Sequence, residues 1–285
     1  MRRSLGLGLL CALIPLSASR ASDPHRQGVL ALDVGARRSA LTSGDLLKHA
    51  AMRRMSVPGS PVYPDRSFEF SVVPMNVLIS PEEIPEGRHL LFECEDGFAT
   101  SILASRVLSR RPEGSRAFLA VEDPERPWPP VHDRPEVRPG PFFLIWADPG
   151  ADHIVAEEWP YQIRRISVAP APGSSFPRLN PAPGIAADDP IRRGHAAFLR
   201  LCLPCHTLNG EGTAAVGPDL NLPMNPTEYL KEGILRRYVR DPKSVRTWPG
   251  QAMPAFSRED LGDEDLAALE LYLRHMATLR SSPHP

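Results

Sequence analysis

Two thiols two residues apart, followed at once by an imidazole, stand at Cys202-Leu203-Pro204-Cys205-His206. Each thiol can add to one vinyl group of a haem to form a thioether, and the adjoining imidazole is then carried against the iron as an axial ligand. The chain has 4 cysteines and 9 histidines among 285 residues. With that composition the chance count of the pattern is about 0.002, so it is a specific signal for one covalently bound haem c. Three other chemistries use the same residue types. A structural zinc site wants two further Cys or His ligands at characteristic spacing, and no second pair follows within reach. A thioredoxin-like redox pair opens a helix after a strand in a βαβ unit, which the surrounding helical stretch does not supply. A disulfide between Cys202 and Cys205 would leave His206 unexplained.

Helices must position this motif. Asp189 followed by Pro190 is a helix start, the acid accepting from early amides and the proline filling the first helical position. That helix runs into Cys202. A second is expected over Thr227 to Arg240, closed by Asp241-Pro242, and a third over Asp263 to Leu279. In the third, Leu266, Leu269 and Leu273 share one side, while Asp263, Glu264 and Asp265 load the first turn with charge that suits the dipole.

On these residues the sequence resembles a class I cytochrome c over about 187 to 280. Gly194 and Phe198 match the family's small-plus-aromatic pair on the first helix, which packs against an aromatic on the last, here Tyr272. Gly217-Pro218-Asp219-Leu220 matches the loop whose proline carbonyl orients the axial histidine, which implies that Pro218 holds His206 in one tautomer. Asp241-Pro242-Lys243-Ser244-Val245 and Met253-Pro254-Ala255-Phe256 match the segments leading to the sixth ligand. A soft thioether there favours reduced iron and suits a carrier of single electrons. Met253 lies 47 residues after His206 with a helix between them, and Met224 only 18 residues after it, before that helix. Met253 is the expected iron ligand opposite His206; Met224, or an open or histidine-ligated iron, are the alternatives. His195, His275 and Met276 read as packing or surface residues.

The chain opens as an export signal: Arg2 and Arg3, an apolar run from Leu5 to Leu16, then Ser19 and Ala21 at small-residue positions. The run is shorter than the ~20 residues a bilayer span needs. Cleavage after Ala21 would remove Cys11 and leave a periplasmic chain without a membrane span. Residues 22–169 read as a β-rich module. Strands are expected at Phe68 to Val73, His89 to Phe92, Arg116 to Val121, Phe142 to Trp146 and Gln162 to Val168, and a helix at Ser43 to Arg54. Residues 170–186, rich in Pro, Gly and Ser, suit an extended, semi-rigid linker. Residues 187–285 are the helical domain with a short tail.

Within the β-rich module, Val73-Pro74-Met75-Asn76-Val77-Leu78, Glu95-Asp96-Gly97-Phe98-Ala99, Gly140 to Trp146 and Glu158-Trp159-Pro160-Tyr161 resemble the molybdopterin-binding domain of sulfite-oxidase-type enzymes. In that family the metal-binding cysteine precedes the first of these segments, whereas here no cysteine lies between Cys11 and Cys94. The module is therefore read as a cofactor-free relative of that fold, Cys94 as a buried small side chain, Trp128, Trp146 and Trp159 as packing residues, and the charges of Arg106 to Arg116 as a solvated surface.

The whole is then a multidomain chain, a β-rich α+β module followed by an all-α class I cytochrome c domain. Pro numbers 33 of 285 residues, which confines long helices to the stretches where prolines thin out. Lys plus Arg (33) and Asp plus Glu (34) nearly cancel, so no basic excess points to nucleic acid. The expected function is electron transfer between a redox enzyme and a downstream carrier, with the first module docking or positioning the haem domain and no enzyme activity of its own. Two alternatives are an oxidoreductase whose first half binds a molybdenum cofactor or small substrate and feeds its own haem, and a sensor in which a ligand displaces Met253.

Overall fold

The computed structural model describes residues 27–280; the expected export signal, with Cys11, lies outside the described residues. The first half contains β1 (Val29–Val34), β2 (Arg37–Thr42), β3 (Arg53–Ser60), β4 (Tyr63–Pro74), β5 (His89–Cys94), β6 (Ala99–Leu103), β7 (Arg116–Val121), β8 (Phe142–Ala147) and β9 (Ile163–Ala169). Short helices α1 (Ser43–Leu47), α2 (Met75–Leu78) and α3 (Ala104–Val107) connect some of them. The strands form a five-stranded sheet in the order β2-β1-β9-β5-β6 and a four-stranded sheet in the order β3-β4-β7-β8. Among the described residues only β1 and β9 pair in parallel.

The patterns explain the placement. β7 and β8 are buried along nearly their whole length, as continuous apolar runs covered on both faces must be. β5 alternates, turning Leu90, Phe92 and Cys94 inward. Pro58 sits on the edge strand β3 beside a register shift, where its missing N–H costs no ladder bond. Trp128, Trp146 and Trp159 all join the core of this half. Phe70 meets Trp128 edge-on at 5.2 Å, and the Trp146 indole donates to the Glu158 carbonyl at 2.8 Å.

The helix expected over Ser43 to Arg54 starts at Ser43 but is shorter. Thr42 is its cap, accepting from the Asp45 amide at 3.1 Å, while the Asp45 carboxylate accepts from the Thr42 amide at 3.1 Å. The helix ends at Leu47 because Arg53 and Arg54 are claimed by β3, opposite Val72 and Ser71 of β4.

Beyond β9 come α4 (Pro172–Ser175), α5 (Pro190–Ala197), α6 (Pro226–Tyr229), α7 (Ile234–Arg240) and α8 (Asp263–Thr278). The Asp189 carboxylate accepts from the Ile191 amide at 2.8 Å, and α5 runs on through a π-helical turn over Phe198–Cys202. The second expected helix is broken in two: Leu230 is extended and Gly233 takes φ +77°, a left-handed conformation that a continuous helix excludes. On α5, a Cβ on Gly194 would fall 2.0 Å from the Ala268 carbonyl oxygen, so α5 and α8 cross with backbones in contact. Phe198 and Tyr272 meet beside that crossing at 5.4 Å.

Residues 170–186 do not form an extended linker. The segment coils through α4 and a short 3-10 turn, Pro177–Leu179, and Leu179 is fully buried in the helical core. The Tyr272 hydroxyl donates to the Leu179 carbonyl at 2.6 Å, and the Ala182 amide donates to His275 Nε2 at 3.0 Å. Proline content signals an absence of long helix, and here Phe176 and Leu179 supply the apolar surface that turns the segment inward.

His195 stacks near Tyr272 at 5.3 Å, and burial pushes its pKa down to about 4 from an ordinary 6.5. A histidine kept neutral by the fold takes up its proton first in the unfolded chain. Its contribution to stability is therefore complete above about 6.5 and is lost as pH falls towards about 4. Urea midpoints measured across that window should decline in the native chain and decline less steeply in His195→Gln.

Candidate functional site

The π-helical turn delivers Cys202 to a tight turn in which the Cys205 and His206 amides donate to the Cys202 carbonyl at 3.1 and 2.9 Å. The His206 ring is then clamped. Its Nδ1 lies 2.8 Å from the Pro218 carbonyl, which can only accept, so Nδ1 carries the proton and Nε2 keeps its lone pair. A Cβ on Gly217 would fall 2.4 Å from Cε1 of the same ring, so no side chain fits there and the loop passes directly against the imidazole. The Gly217 amide donates to the Cys205 carbonyl at 2.7 Å, joining loop and turn.

The loop itself is held from below. The Asp219 carboxylate accepts from the amides of Asn209, Gly210, Asn221 and Leu222. Asn221 donates to Asn209 Oδ1 and to the Met276 carbonyl, both at 2.7 Å, and Asn225 donates to Asn221 Oδ1 at 2.8 Å and to the Leu273 carbonyl at 2.9 Å. These three buried asparagines tie the histidine loop to the last turns of α8.

A cavity of about 510 Å³ opens beside the turn, within the range of small-molecule and cofactor sites. Cys205, Val216 and Met253 line it together; Cys202 and His206 sit in the adjoining turn. The Met253 segment is pinned to α7, the Phe256 amide donating to the Val239 carbonyl at 3.1 Å and Arg240 Nη1 to the Phe256 carbonyl at 3.1 Å. Met224 is half exposed and away from the cavity wall, and Met276 is buried in the core. Burial pushes both thiols of the motif up, Cys205 to about 12. Cys202, Cys205 and Cys94 are all free thiols, so no disulfide links the first two. Among the described residues no cluster of three or more His, Cys, Asp or Glu side chains is arranged to hold a bare metal ion. Cys94 ends β5, 3% exposed, its thiol pushed well up by burial.

The first half closes the cavity, which the sequence did not disclose. Arg134, Trp159 and Tyr161 line it from that side. The two halves are joined there at the backbone: the Ala99 amide on the open edge of β6 donates to the Pro204 carbonyl inside the thiol motif at 3.0 Å, and the Ala215 amide donates to the Gly97 carbonyl at 2.9 Å. Glu158, buried, pairs with Arg106 of the first half at 2.9 Å and Arg200 of the second at 3.0 Å. Arg106, expected as part of a solvated surface, thus belongs to this junction. Lone charged residues at sequence distances of 42 and 52 carry no local signal of such a pairing.

The cytochrome c family model matches residues 191–277. These residues are similar to a cytochrome c domain. No match to a curated protein is found for the chain. A cytochrome c domain implies haem c and electron transfer. The clamped imidazole with a free Nε2, the thiol pair, and the thioether of Met253 on the wall of an adjoining cavity fit that group. The β-rich half is a separate set of sheets outside the matched residues.

Proposed function

We propose that the chain is an exported, periplasmic monohaem cytochrome that passes single electrons from a redox enzyme to a downstream carrier and is no enzyme itself. The observation that carries this reading is the His206–Pro218 clamp set beside a cavity walled by Cys205 and Met253. Haem c, when bound, supplies an iron that takes up and gives back one electron. Cys202 and Cys205 would hold its vinyl groups and His206 would offer Nε2 to the iron, with Pro218 fixing the tautomer that makes this possible. Met253 would offer a soft sulfur from a segment anchored to α7. No helix among the described residues is long and apolar enough to cross a membrane. The β-rich half, a cofactor-free relative of the sulfite-oxidase-type molybdopterin-binding domain in this reading, holds the cytochrome domain through Ala99, Gly97 and Glu158.

The test is spectroscopic. Chain matured with haem-attachment machinery should show a c-type band on reduction and contain one iron and no molybdenum or pterin. Met253→Ala should abolish the methionine–iron charge-transfer band, and Met224→Ala should leave it intact. Absence of the c-type band in the native chain would sink the reading, and stoichiometric molybdenum would replace it with the oxidoreductase alternative.

A further inference from the structure

The wall that the β-rich half contributes to the cavity carries a fixed positive charge. Arg134 donates through Nη2 to the Tyr161 hydroxyl, and its guanidinium carbon lies 5.8 Å from the centre of the same ring. Both residues line the cavity with Cys205 and Met253. Among the described residues Arg134 makes no ion pair, whereas Arg106 and Arg200 on the same junction are both committed to Glu158. A guanidinium stays protonated at any working pH and does not adapt by losing its charge. The remaining charged groups on the cavity are Lys243 of the cytochrome domain and the carboxyls of Asp96, Asp133, Glu157 and Asp241. Among the described residues Arg134 is the sole cation that the β-rich half places on this cavity, which it lines together with Cys205 of the attachment turn.

We propose that Arg134, held in place by Tyr161, sets the redox potential of the haem from outside the cytochrome domain. The inference rests on the haem reading above. One-electron reduction lowers the charge at the iron by one, with the electron supplied by the donor protein and no bond made or broken. A fixed, half-buried cation in the wall of the cavity favours that lower-charged state, and salt screens it less than it screens a fully exposed group. The ionised carboxyls on the same cavity act in the opposite sense, so Arg134, alongside Lys243, is a counterweight that keeps the potential up. The β-rich half is then a part of the redox centre as well as its support.

The experiment measures midpoint potentials by spectroelectrochemical titration of the full chain matured with haem. Native protein is compared with Arg134→Gln, Arg134→Met, Arg134→Lys and, as a control, Arg126→Gln, whose side chain is exposed and pairs with Asp123. Both neutral variants should lower the potential. At the native midpoint the ratio of reduced to oxidised haem should fall about tenfold, a shift of about 59 mV for a one-electron couple. Arg134→Lys should keep most of the native value and Arg126→Gln all of it. Retention of the methionine–iron band in a variant shows that its shift is not loss of the ligand, and having two neutral variants keeps the comparison open if one fails to fold. A native potential in a neutral variant that keeps the band, or an equal fall in Arg134→Lys or Arg126→Gln, would overturn the proposal. Failure of the haem reading itself would appear separately, as absence of the c-type band from the native chain.

Discussion

With Cys202 and Cys205 both changed to Ala, all haem should be removed from the purified chain by acidified acetone, while the native chain keeps its haem through the same treatment. Thioethers survive that extraction, and coordination through His206 and Met253 does not. The fold of the turn should persist, because it is held by backbone bonds to the Cys202 carbonyl and not by either sulfur. Each single variant should retain haem through the remaining thioether. Haem staining after denaturing electrophoresis checks both statements, and full retention in the double variant would show that attachment does not run through these two residues.

The second large effect is steric. Gly194→Ala places a Cβ 2.0 Å from the Ala268 carbonyl oxygen, a backbone atom that cannot swing aside. The α5–α8 crossing has to open, and the cost should reach the upper part of the range for overpacking, about 3 kcal/mol or more. Phe198→Ala removes a fully buried ring that meets Tyr272, and should cost about 3–5 kcal/mol. The exposed neighbour Ala196 is a control: Ala196→Gly should lose only the helix-propensity difference, about 1 kcal/mol. Equilibrium urea unfolding of the three variants decides the order. A Gly194→Ala variant no less stable than Ala196→Gly would mean that the two helices are not held this closely.

These two predictions come from the part of the chain that was most legible. The thiol pair and imidazole, Pro218, and the Gly194–Phe198–Tyr272 crossing depend on local spacing and on residue types with few substitutes. The limits of α8 follow from an acidic first turn and leucines on one side, and the structure places it within a residue of the expectation. β5, β7, β8 and β9 were readable because their apolar runs are short and bounded by turn residues. β1, β2, β3 and β6 were not, since each is an edge or a half-exposed strand whose pairing is decided by partners far along the chain. The break at Leu230–Gly233 hid inside a stretch that otherwise favours helix. The cavity wall formed by Arg134, Trp159 and Tyr161 was illegible for a different reason: it exists only once two independently patterned halves are brought together, and no periodicity within either half encodes it.

The connecting segment has a mechanical meaning. A flexible tether gives its two ends a distribution of separations, and the domains it joins meet with an effective concentration set by its length. Here Leu179 is buried in one partner's core, Tyr272 and His275 grip the segment at two points, and Pro170 and Pro172 line a small cavity together with Leu91 of the first half and Leu203 of the second. Such a joint has no slack. Separating the halves would mean extracting core side chains, so lengthening the segment by inserted glycines should act on the stability of the cytochrome domain before it gives the halves any freedom of reach.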